Sequence, residues 1–224
     1  MRRVAIVYVV AVVLVRGAAY AQDPPPPLPR FVVDVHGLMP VFPNDATQLA
    51  QSRPVLDPSR PPPPVLSLSE LPGAGLGGRL GAHLYVFKYR KITVGLGGEV
   101  MFGTSSSTPA EGTTGLVSVD ERLRVLSSQV SFNFGSGHGW SFLSGGIGRS
   151  QWSVRPAGQP ETPADTESLP TLNYGGGARW FAKKHLAFSL DIRLYEIQTG
   201  SSFGGRPGSP RTRLFTIGAG ISLK

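Results

Sequence analysis

From Phe215 to Leu223 every second residue is apolar: Phe215, Ile217, Ala219, Ile221 and Leu223 share one face, and Thr216, Gly218, Gly220 and Ser222 share the other. Alternation with a period of two marks a strand whose faces meet unlike surroundings. An unbroken greasy face, backed by small polar residues and glycine, suits lipid outside and a narrow, filled lumen inside. The pattern recurs and predicts eight strands, approximately Arg30–Met39, Gly73–Phe87, Ile92–Gly103, Arg122–Phe134, Trp140–Val154, Thr171–Phe181, Leu186–Thr199 and Arg213–Leu223. No stretch sustains helical periodicity, and 29 glycines with 21 prolines work against helices as well.

Parity assigns the faces. Phe31, Val33, Val35, Leu80, Ala82, Leu84 and Val86 are predicted outward on the first two strands. Asp34, His36, Arg79, Gly81 and His83 are inward there. Glu99 falls inward on the third strand, Arg179 on the sixth, and Asp191 and Arg193 on the seventh. The fifth strand carries glycine on both faces, and Leu143 and Ile147 are read as outward. Two aromatic girdles are expected, with Tyr89, Phe134, Trp140 and Trp180 near the short turns and Phe102, Trp152 and Tyr195 near the long loops.

Connections alternate strictly. Pro40–Pro72, Thr104–Glu121, Arg155–Pro170 and Gly200–Thr212 are long, whereas Lys88–Lys91, Gly135–Gly139 and Ala182–His185 are short. Outer-membrane barrels place tight turns at the periplasmic end and long loops outside. The expected architecture is therefore all-β, an eight-stranded antiparallel up-and-down transmembrane β-barrel over residues 30–224. A soluble lipocalin-type barrel is the alternative. Seven glycines on the polar face (81, 95, 97, 175, 177, 218 and 220) count against it, because they would weaken a water-facing strand surface.

The amino terminus reads as a secretory signal over residues 1–21: Arg2 and Arg3, an apolar run from Val4 to Val15, then Ala19-Tyr20-Ala21. Twelve apolar residues are too few for a membrane helix, which needs about 20. A proline-rich lead-in follows at 22–29. The chain has no cysteine, which excludes disulfides, thiolate metal sites and a lipidated cysteine. The formal charge of +8 falls to +5 when Arg2, Arg3 and Arg16 leave with the signal. The remaining basic residues are scattered with no basic helix, so nucleic acid is not an expected partner.

The stretches VSFNFG…GWSFLSGGIG (130–148) and YGGGARWFAKKHLAFSLDIRLY (174–195) resemble hairpins of the eight-stranded outer-membrane protein β-barrel domains, the OmpA-like and OmpW/OmpX-like group. The resemblance covers the mature chain apart from the first loop and the lead-in. It implies export to a bacterial outer membrane of the Gram-negative type. It also implies recognition by the barrel assembly machinery through the last strand, where Thr216, Gly218, Ile221 and Leu223 match the polar-x-Gly-x-x-apolar-x-apolar pattern. Many members end on an aromatic residue, whereas this chain ends Leu223-Lys224.

Candidate chemistry is sparse. An eight-stranded barrel is just wide enough for its own side chains. Asp34, Glu99 and Asp191 against Arg79, Arg179 and Arg193, with His36 and His83 beside them, are therefore expected to form a plug of ion pairs. The alternative is a passive channel or transporter for a small or hydrophobic solute. None of the four histidines lies in a serine-bearing motif on the lipid face, so no enzyme, cofactor or metal is expected. Arg122, Arg124 and Arg149 point outward at the long-loop end, where guanidiniums could hold lipopolysaccharide phosphates, or Arg122 could pair with Glu121. Arg213 faces outward beside Glu196, which could neutralise it. The expected role is structural or surface-interacting, with outer-membrane lipid and lipopolysaccharide as partners.

Overall fold

The computed structural model of the chain describes residues 27–42, 73–108, 111, 118–201, 209 and 211–224. The expected signal at 1–21, most of the lead-in at 22–29 and most of the first long connection lie outside these. Eight strands follow in order: β1 (Phe31–Val41), β2 (Leu76–Tyr89), β3 (Ile92–Ser107), β4 (Val119–Ser136), β5 (Gly139–Pro156), β6 (Leu169–Phe181), β7 (Leu186–Ile197) and β8 (Thr212–Leu223). Each pairs antiparallel with its sequence neighbour, and β1 closes on β8 from Val33↔Leu223 to Val41↔Phe215. The eight strands match the predicted segments within a few residues at each end. Arg90-Lys91 and Gly137-His138 make two-residue turns at one end of the barrel, where the 182–185 turn also lies. The strand ends that the long connections join lie at the other.

Parity holds along the strands except at an irregularity of β2 between Tyr85 and Phe87, where Val86 and Phe87 are both exposed, but polarity does not hold. On β4, Leu126, Val130, Phe132 and Phe134 face out while Ser127, Gln129, Ser131 and Asn133 are buried in the lumen. Above Leu126 the same faces exchange character: Val119, Leu123 and Val125 are buried inside, and Arg122 and Arg124 stand outside. On β5, Trp152 is inward opposite outward Arg149; on β7 and β8, Tyr195, Ile197 and Leu214 are inward beside outward Glu196 and Arg213. Apolar outward stretches therefore run Leu126–Phe134 (interrupted by Ser128), Leu186–Leu194 and Phe215–Leu223, nine residues each. A tilted strand crosses the hydrocarbon of a bilayer in ~9–11 residues. Beyond that belt the wall stands in water, and its inside is built like a soluble core.

This inversion corrects the expected girdles. Tyr89, Phe134 and Trp180 are exposed at the short-turn end, and Phe102 is exposed toward the long loops. Trp140, Trp152 and Tyr195 instead point inward and are buried. Leu143 and Ile147 face out, as expected for β5.

Inward glycines make room for charged side chains. A Cβ on Gly220 would stand on the Val35 carbonyl oxygen and 2.6 Å from the His36 ring, at the β1–β8 seam. Outward Gly37, on the other strand of that seam, would meet only the Ala219 oxygen at 3.8 Å. Overpacking costs ~1–3 kcal/mol. Gly220→Ala is thus expected to lower the urea midpoint of the refolded barrel by an amount in that range. Gly37→Ala should leave it unchanged, and equal midpoints for the two variants would contradict this account of the seam.

Candidate functional site

The inward side chains form three layers. Nearest the short turns, Val32, Trp140 and Phe142 pack with Leu28, Tyr85 and Phe181. Trp140 stacks on Phe181 with ring centroids 5.1 Å apart. Nearest the long loops, Leu38, Phe42, Met101, Leu123, Trp152, Tyr195 and Leu214 belong to one apolar cluster. The buried charges lie between.

Those charges form two groups. Arg179 grips Asp34 with both ends of the carboxylate, Nε to Oδ1 at 2.9 Å and Nη2 to Oδ2 at 2.5 Å, and Ser222 donates to the same carboxylate. The Arg179 guanidinium also lies 4.0 Å over the Phe142 ring. In the second group, Arg79 Nη2 is 2.5 Å from Asp191 Oδ2 and donates to His36 Nδ1 at 2.6 Å. His36 Nδ1 also lies 3.2 Å from Asp191 Oδ1, and its Nε2 lies 2.6 Å from Ser189 Oγ. Glu99 lies 3.9 Å from Arg79 Nε and 3.6 Å from Arg193 Nε, and accepts from the Tyr195 hydroxyl at 2.9 Å. Arg193 further donates to Gln129, Asn173 and Ser144 at 2.7–3.0 Å.

Seven of the eight expected lumen residues are thereby brought together. The exception is His83, which is buried but has a hydrogen-bond partner at neither ring nitrogen. Its ring packs over Gly97 and stands outside the network. Gln129, Asn173, Ser144 and Ser189 belong to the network and were not singled out in the sequence; Tyr195, expected in the aromatic girdle near the long loops, belongs to it as well.

Outside, Arg122 pairs with Glu161 of the β5–β6 connection at 3.5 Å, as does Arg155. Its anticipated partner Glu121 is on the opposite face, buried inside with no hydrogen bond to either carboxylate oxygen. Glu121 lies beyond the apolar belt, and burial pushes its carboxyl up to about 9, so it is held protonated at neutral pH. Arg124 and Arg149 are exposed, and their Cα positions are diagonal neighbours across β4 and β5. Arg213 Nε is 3.0 Å from Glu196 Oε1, and Tyr174 donates to the same oxygen. On β8, Thr216 and Gly218 are inward and Ile221 and Leu223 outward.

No family model matches the sequence, and no curated protein matches it. Among solved structures, Neisserial surface protein A superposes with a TM-score of 0.54 at 12% identity, over 88% of this chain and 97% of that one. The chain has the fold of the eight-stranded outer-membrane β-barrels. OprG from Pseudomonas aeruginosa (TM-score 0.48, 11% identity, 90% and 98% covered) and Ail of Yersinia pestis in complex with a heparin analogue (0.44, 12%, 87% and 100%) superpose too loosely to add to that.

In an outer-membrane barrel the Asp34–Arg179 pair has no water to fall back on. Removing one partner of a buried pair costs ~3–5 kcal/mol, because the other charge is left alone. Arg179→Ala is expected to destabilise the refolded barrel by that order in urea titrations. Ser222→Ala, which leaves the ion pair intact, should cost only ~1 kcal/mol. Equal losses would show that the salt bridge carries no special weight.

Proposed function

We propose that the protein is a small bacterial outer-membrane barrel that acts through its surfaces, in a structural or interaction role, with a lumen kept shut by its own side chains. The observation that carries this reading is the three-layer filling. Aromatic side chains close one end, balanced ion pairs occupy the middle, and an apolar core closes the other end. Ions would have to displace all three layers to cross. In planar bilayers the purified chain is expected to give only small or rare openings. Large, steady wild-type channels would instead favour passive transport of a small solute.

Outer-membrane residence is supported by the fold together with the nine-residue apolar belt. Biogenesis then runs through the barrel assembly machinery, with Thr216, Gly218, Ile221 and Leu223 as the recognition strand. No catalytic role is assigned.

On the outer surface, Arg124 and Arg149 are the first charged residues past the belt on β4 and β5. An arginine near an interface costs ~0–1 kcal/mol against ~2–4 at the midplane, so this position is tolerated. Among the described residues neither guanidinium has an ion-pair partner, and both suit bidentate binding of lipopolysaccharide phosphate. Arg122, paired with Glu161, is the weaker contributor. Lipopolysaccharide retained after mild detergent extraction should fall in Arg124→Gln/Arg149→Gln. It should be unchanged in Arg213→Gln, whose charge Glu196 already meets. Equal retention in the wild type and the double variant would remove this contact from the proposal.

A further inference from the structure

The two rims of the barrel differ in charge. At the short-turn end Arg30, Lys88, Arg90 and Lys91 are exposed on one side. Lys183 and Lys184 are exposed on the 182–185 turn, with Lys224 beside them. Among the described residues no side-chain carboxylate accompanies them. Asp34, Glu99 and Asp191 are buried in the lumen, and the other described acids lie past the belt at the long-loop end.

Part of this cationic rim is a groove. A hollow of about 850 Å3 runs between the segment entering β1 and the 182–185 turn. Pro29, Phe31 and Phe181 wall it, and Lys183, Lys184 and Lys224 rim it. Lys224 Nζ is held over the Phe181 ring at 3.7 Å and donates to the Gly137 carbonyl, which fixes one ammonium at the edge. Burial lowers the pKa of that ammonium. Among the described residues no side-chain carboxylate pairs with Lys183 or Lys184.

The groove opens where the apolar belt ends. Phe31 and Trp180 are exposed on the outer wall beside it, at the level where interfacial aromatics meet lipid headgroups. A soluble anion would be served by the lysines alone. Apolar walls directly under a cationic rim match a molecule with a phosphate at one end and hydrocarbon at the other.

We propose that this groove binds an anionic glycerophospholipid of the facing leaflet. Its phosphate is held by Lys183 and Lys184, and the first carbons of its acyl chains lie against Pro29 and Phe31. The proposal deepens the outer-membrane reading and rests on it.

The full chain would be refolded into vesicles of equal parts phosphatidylglycerol and phosphatidylcholine, then released in mild detergent. Native mass spectrometry would count the lipids retained. A surface lysine contributes about fivefold to anionic-lipid affinity. The wild type is therefore expected to retain phosphatidylglycerol over phosphatidylcholine, and Lys183→Gln/Lys184→Gln to lose about tenfold or more of that preference. Lys88→Gln/Lys91→Gln removes the same charge from the opposite turn and should keep the wild-type preference. Insertion of each variant is scored separately by its resistance to unfolding in cold dodecyl sulfate. Insertion with no preference, or equal loss in the two double variants, would overturn the site while leaving the membrane reading intact. Failure of the wild type to insert into these vesicles would overturn both.

Discussion

In hydrocarbon a backbone amide that finds no protein partner finds none at all, and the rest of this molecule follows from that constraint. A sheet with free edges cannot stand in a bilayer, so β1 must close on β8, and it does so over nine registered positions. Eight strands enclose a space only as wide as the side chains they turn inward. That space has to be filled, and the polar side chains in it must satisfy one another. Asp34, Glu99 and Asp191 set against Arg79, Arg179 and Arg193 are the charge-neutral solution this chain reaches. Glycines make it fit. A Cβ at Gly177 would crowd Asp191 at 2.6 Å, and one at Gly175 would crowd the Arg193 backbone at 2.8 Å.

The same strands serve a second environment without changing parity. Below Leu126 the surroundings of β4 are hydrocarbon outside and polar groups inside; above it they are water outside and an apolar core inside. Arg122, Arg124, Arg149 and Arg213 are thus not charges on the wrong face. They are ordinary solvent-side residues of a wall that extends past the membrane, covering Leu123, Trp152 and Leu214 as the polar face of a soluble sheet covers its core. The long connections are anchored to that extension: Asp165 accepts from Ser153 at 2.8 Å, and Glu167 from the Ser201 amide at 2.6 Å.

Most of this was legible in the sequence because the side-chain period of a strand is two and does not drift. Every outward assignment made from parity stands, including Leu143 and Ile147 on the glycine-rich β5. Trp140, Trp152 and Tyr195 were misplaced for one reason. The inner face was taken to stay polar throughout, so an aromatic near a strand end read as part of a girdle. Their own parity put them inside. Other features were not legible. Which acid meets which arginine depends on strand tilt and stagger, which no local pattern encodes. The pairing of Arg122 with Glu161 depends on how the 157–168 connection folds back. His83 shares the parity of His36 and differs only in what stands across from it.

The buried ion pairs also join strands that share no backbone hydrogen bonds. Asp34 to Arg179 links β1 with β6, Arg79 to Asp191 links β2 with β7, and Glu99 to Arg193 links β3 with β7. Backbone ladders hold only neighbours and would tolerate a slipped register nearly as well as the correct one. A slip of one residue in β7 would turn Asp191 and Arg193 out into lipid. An arginine at the bilayer midplane costs ~2–4 kcal/mol, and its abandoned partners would add to that. An apolar filling of equal volume could match the stability, as replacements of buried ion pairs elsewhere have done. It would not penalise the slip, since a leucine turned outward meets lipid as readily as the core. The lumen charges therefore act less as a source of stability than as the term that makes one register the only acceptable one.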